Sequence, residues 1–86
     1  MQRDVVRYTP SGIASIDCLL LHRSEVREAG HVRQVELELP AIAFESLVHR
    51  LAASPLDTTY RFTGFLANRS KKSKRAVFHI TEFVNT

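Results

Sequence analysis

An all-β fold with one short helix is what this 86-residue sequence predicts, and three observations carry that expectation. Alternating apolar and polar residues recur with the period of two that puts successive side chains on opposite faces of a strand, most cleanly over residues 31–39 and again from Tyr60 to Ala67. One stretch, residues 41–53, instead carries apolar residues at helical spacing. Turn-forming groups, Thr9-Pro10-Ser11-Gly12 and Ser54-Pro55, punctuate the runs.

Taken in order, residues 3–8, RDVVRY, are a short apolar patch framed by charge, the remnant of a first strand. Pro10 then presets φ and Gly12 permits φ > 0, which makes a turn. Residues 13–23 read as the second strand; its alternation is imperfect, and a bulge near Asp17 or Cys18 would bring the best apolar set inward. The polar segment 24–30, SEVREAG, ends in Gly and reads as a hairpin loop. In the third strand, 31–39, Val35, Leu37 and Leu39 share one face and Gln34, Glu36 and Glu38 the wet one.

Pro40 then opens a helix over residues 41–53, with Glu45 near its start and His49 and Arg50 near its end to suit the macrodipole, and Ser54-Pro55 to stop it. Its expected place is across the barrel's open end. In the fourth strand Tyr60, Phe62, Gly64 and Leu66 oppose Arg61, Thr63, Phe65 and Ala67, and Gly64 marks a bend or a close backbone approach. Residues 75–84 form the fifth strand. A single helix between the third and fourth of five strands is the order of an OB-fold barrel, so the whole chain is expected to be one such domain.

Composition bounds the function. With 44% hydrophobic residues, 24% charged, three Gly and three Pro, this is neither a disordered nor a collagen-like chain. A domain this small has a thin stability margin that a partner subunit would widen. The one cysteine, Cys18, cannot make an internal disulfide and lies in the apolar run DCLLL, as a buried structural thiol would. No 18-residue apolar run and no signal-peptide core are present, so a cytoplasmic protein is expected.

Charge is distributed unevenly. Of 12 Lys and Arg, five (Arg69, Lys71, Lys72, Lys74 and Arg75) fall in the loop between the fourth and fifth strands with no acid among them. Cations so placed bind a phosphate backbone by releasing its counterions, without reading bases. The alternatives are an RNA-binding OB domain, a protein adaptor whose basic loop meets an acidic partner, or a solvated loop that only keeps a sheet edge from aggregating. Phe65 and Tyr8 are candidate stacking rings, whereas Tyr60 and Phe62 share a face with Leu66 and belong to the core. The four histidines lie far apart, none at metal-ligand spacing, and neither a glycine-rich phosphate loop nor an activated nucleophile is recognisable. Neither enzyme activity nor a cofactor is expected.

Arg7-Tyr8-Thr9-Pro10-Ser11-Gly12-Ile13, Leu21-His22-Arg23-Ser24, Glu28-Ala29-Gly30, Arg33-Gln34, Gly64-Phe65-Leu66 and Val77-Phe78-His79, in this order and spacing, resemble the primosomal replication protein N (PriB) family over nearly the whole chain. The resemblance implies an SSB-like OB-fold homodimer that binds single-stranded DNA in replication restart. Its implied partners are the PriA helicase, DnaT in some lineages, and the single-strand binding protein. Arg7, Arg23 and Arg33 match basic family positions, and the five loop cations match the family's lysine-bearing loop, which is longer than this one. Glu36 stands where some members place a stacking aromatic, so charge is expected to carry more of the binding than stacking. Family members usually carry further residues ahead of the point where this chain begins; the first strand is therefore expected to be truncated and to leave an unpaired edge.

Overall fold

The computed structural model describes residues 2–86. Two short pieces, β1 (Gln2–Arg3) and β2 (Arg7–Tyr8), stand at the position of the first strand, followed by β3 (Ala14–Glu28), β4 (His31–Phe44), α1 (Ser46–Ala53), β5 (Tyr60–Asn68) and β6 (Ala76–Asn85). They form one sheet in the order β1-β3-β4-β6-β5, with β2 also on β3. Only β4 and β6 run parallel. This is the OB order, left open: among the described residues no pairing joins β5 to β1 or β2.

Residues paired across neighbouring strands point to the same side of a sheet, so the pairing register sorts the chain into two faces. On the inner face Ile16, Cys18 and Leu20 of β3 meet Ala41 and Ala43 of β4, Ile80 and Phe83 of β6, and Val48 and Leu51 of the helix in one buried cluster. Val48 and Leu51 are fully buried, each worth about 1.5–3 kcal/mol against exposure. Burial pushes the Cys18 thiol up to about 11, with the Asp17 charge adding to the effect, so the thiol is inert. Where the sheet stays open the inner face loses its cover, and Leu66 of β5 is 64% exposed.

Three expectations are corrected. Residues 24–28 are strand, not loop: β3 and β4 pair without interruption out to Glu28 opposite His31, and only Ala29 and Gly30 turn, at φ 52° and 81°. Positive φ at both central residues is the two-residue turn whose twist matches the flanking strands. Polar residues hold this arm through cross-strand ion pairs, Arg23–Glu36 at 3.5 Å and Arg33–Glu28 at 3.2 Å. Nor is there a bulge at Asp17 or Cys18, since that same pairing is unbroken; the bulge lies opposite Thr63/Gly64.

The helix, finally, begins at Ser46 rather than after Pro40. Residues 41–44 continue β4, because Ala41 and Ile42 are paired by β3 on one side and by β6 on the other, and that ladder outweighs alanine's helix preference. Pro40 is tolerated there because pairing with β6 starts only at Ala41. Glu45, at φ 60°, turns the chain out of the strand. At the far end Arg3 donates to the carbonyls of Leu51 and Ser54, so a side chain from β1 caps the helix C-terminus.

Candidate nucleic-acid interface

The interface begins with one rung of the sheet. Asp17 of β3, Ile42 of β4, His79 of β6 and Phe65 of β5 are successive partners, so all four point to the outer face. Ile42 and, one step along β6, Val77 are buried on this face to 6% and 4%, which gives the rung a dry base. Arg7 joins the same face through its pairing with Ser15. The ring of Phe65 lies parallel to that of His79, 4° apart with centroids at 5.0 Å, and Phe44 stacks on the other side of His79 at 6.4 Å and 24°.

The basic finger, residues 69–75, joins β5 to β6. Its shape comes from its own serines: Ser73 donates its N–H to the Ser70 carbonyl at 3.1 Å, Arg75 donates to Ser73 Oγ at 3.2 Å, and Arg69 closes the base onto the Arg75 carbonyl at 3.3 Å. This tight turn leaves Lys71, Lys72, Lys74 and Arg75 exposed. Arg69 is used differently. Both its terminal nitrogens donate to the Asp17 carboxylate, at 2.5 and 3.0 Å, tying the finger's base across the outer face to β3.

That bond holds the Asp17 carboxyl below its ordinary 3.8 against the opposing effect of burial, with the charges of Arg69 and Arg7 assisting, and it raises Arg69 in turn. Because the folded pKa lies below the unfolded one, the pair stabilises above about pH 3.8 and its contribution is lost as pH falls through the folded value. Both side chains are partly exposed, 25% for Asp17 and 46% for Arg69, so the pair is worth about 1 kcal/mol or less. Asp17→Asn is expected to lower stability by that amount at pH 7 and to flatten the acid limb below about pH 4. Urea unfolding across pH reads both; identical acid limbs in the two proteins would mean that the pair contributes nothing.

The expected site residues fall into three groups. Phe65, Arg69 and Arg7 come together on the outer rung, and Arg23 lies farther along the same face of the arm, paired with Glu36. Lys71, Lys72, Lys74 and Arg75 stand beside it and make no ion pair among the described residues. Arg33 and Tyr8 point the other way: Arg33 sits opposite Val26 on the inner side of the arm, bound by Glu28, and Tyr8 sits opposite Ala14, 68% exposed. Arg7 is held loosely by Asp4 at 3.4 Å. Exposed pairs such as these are worth so little that phosphate can exchange into them. Sequence reasoning missed Phe44 and His79, which lie in alternating strands that no rule brings into register, and it passed over Arg61, on the same side of β5 as Phe65 and without an ion pair among the described residues.

The strand order and the basic outer face are those of an SSB-like OB fold, and the comparisons agree. A family described as another single-strand binding protein family matches residues 1–82. Among individual proteins, the replication restart protein PriB of Bordetella pertussis is 43% identical over 77 residues, covering 90% of this chain and 72% of that protein. PriB of Nitrosomonas europaea is 32% identical over 76 residues, covering 88% of this chain and 70% of that protein. The solved structure of PriB from Ralstonia solanacearum superposes with a TM-score of 0.86 at 34% identity, over 98% of this chain and 85% of that one. The chain belongs to the PriB family of replication restart proteins.

No helix among the described residues is long and apolar enough to cross a membrane. No group of three His, Cys, Asp or Glu among them is placed to hold a metal ion.

Proposed function

We propose that this chain binds single-stranded DNA with little sequence preference and serves in replication restart, coupling the bound strand to the PriA helicase. The observation that carries this reading is the finger: four side-chain cations without an ion pair among the described residues, on a loop folded back by hydrogen bonds to its own serines, at the edge of an outer face where Arg7 and Arg69 already stand. Lysines and arginines spread over a loop and a strand face follow a backbone; they form no recognition element for a groove. The function is binding, with no catalytic step.

Homodimerisation belongs to the same reading, supported by the β5 edge, unpaired among the described residues, and by the uncovered Leu66 beside it. DnaT and the single-strand binding protein are further proposed partners, and the cytoplasm is the proposed compartment. Fluorescence anisotropy of labelled oligo(dT) in a salt series tests the central claim. Four or five phosphate contacts give a log–log slope of about −3. A slope near zero would sink it, and tighter binding to poly(U) than to poly(dT) would turn the reading to RNA.

A further inference from the structure

We propose that Asp17 is a tethered competitor of the bound strand: its carboxylate fills a phosphate seat at Arg69 on the outer face, and a phosphate must displace it before Arg69 joins the binding track. This rests on the single-strand reading above and adds to it a residue whose own charge repels DNA. Asp17 stands at the β3 end of the outer rung, whose far side carries the ring column of Phe65, His79 and Phe44. Its partner on the rung is the apolar Ile42, which offers the carboxylate no donor. What the carboxylate meets is the fork of Arg69, both of whose terminal nitrogens donate to it, at 2.5 and 3.0 Å. A guanidinium takes a phosphate by the same two-pronged geometry. Arg7 stands opposite Ser15, two positions back on the same face of β3, and its charge also reaches the carboxylate.

The Asp17–Arg69 bond is not what shapes the finger. The loop is closed by its own hydrogen bonds, from Ser73 to Ser70, from Arg75 to Ser73 and from Arg69 to the Arg75 carbonyl. A pair this exposed also adds little to stability. Its larger effect is on charge. Of the finger's five cations, Arg69 alone is paired with an acid among the described residues, so one of them is cancelled where the loop meets the outer face. Both partners are partly exposed, so a phosphate reaches Arg69 from solvent, and the displaced carboxylate keeps the charge of Arg7 beside it. Because the carboxylate is part of the chain, it returns to Arg69 when the strand leaves. Affinity is held down and release is eased, as suits a protein that passes its strand to a helicase.

Titrating oligo(dT) into Asp17→Asn and into the native chain at about 0.1 M salt tests the competitor. The substitution should tighten binding about fivefold and steepen the log–log salt slope by about 0.7, the worth of one single-strand phosphate contact. Asp57→Asn removes the same charge from an exposed position without an ion pair among the described residues, and should change neither quantity. Adding Arg69→Ala to Asp17→Asn should abolish the gain. Should Asp17→Asn fail to fold, Asp17→Ser removes the same charge and takes its place. Unchanged or weaker binding by the Asp17 variant overturns the competitor while the DNA-binding reading stands, and weaker binding makes Asp17 an anchor that the finger needs. An equal gain in Asp57→Asn, or a gain that survives Arg69→Ala, overturns it too. Failure of the native chain to bind oligo(dT) defeats the parent reading instead.

Discussion

Replacing Gly64 by alanine is expected to cost about 3 kcal/mol or more, a large share of the stability of a domain this small. A Cβ at this position would run into the His79 carbonyl oxygen and lie 2.9 Å from both the His79 carbonyl carbon and Phe78 Cζ. The phenyl ring can swing aside, but the carbonyl belongs to the β6 backbone and cannot. The approach is close because of the bulge: Thr63 faces Glu82 while Gly64 faces Ile80, leaving Thr81 as the extra residue, pinned by its hydroxyl to the Thr63 carbonyl at 3.1 Å. Urea unfolding of Gly64→Ala against the native chain measures the cost. An unchanged midpoint would mean that β5 slides away from β6 at no expense.

Reversing Lys71, Lys72 and Lys74 to glutamate together is expected to weaken single-strand binding about a hundredfold at about 0.1 M salt, since each lost phosphate contact costs about fivefold there. Repulsion by the new carboxylates adds to this. The log–log salt slope should become shallower by about 2. None of the three lysines makes an ion pair among the described residues, so the fold should tolerate the change and its melting temperature should hold. Intact DNA affinity combined with lost helicase docking would replace the DNA-binding reading with the adaptor.

β5 was legible in the sequence because its first six residues have a drier and a wetter face: Tyr60, Phe62 and Gly64 are half-buried while Arg61, Thr63 and Phe65 are exposed, as their alternation predicts. β6 was legible as an apolar run, although it is buried on both faces, at Val77 and at Ile80. The arm was not. Ser24, Glu25, Val26, Arg27 and Glu28 carry no apolar alternation, and what makes them strand is their partner across the ribbon. The helix start was misplaced for a related reason, because Ala41, Ile42 and Ala43 suit either structure and the ladders on both sides decide. Of the site, the finger's charge was plain, but which cations stay free was not. Arg69 and Asp17 are 52 positions apart, and nothing local to either marks the bond between them.

The parallel pairing of β4 with β6 consists of two residue pairs, Ala41 with Phe78 and Ile42 with His79. On either side of it lie two hairpins, β3–β4 and β5–β6, whose contacts are between chain neighbours and form early. The short parallel joint links segments far apart in sequence, so the loop-closure entropy falls on it and it forms late. The rung from Asp17 to Phe65 crosses that joint, as do the Arg69 tie and the ring column. The aligned face behind the finger therefore depends on two residue pairs, whereas the finger itself belongs wholly to one hairpin.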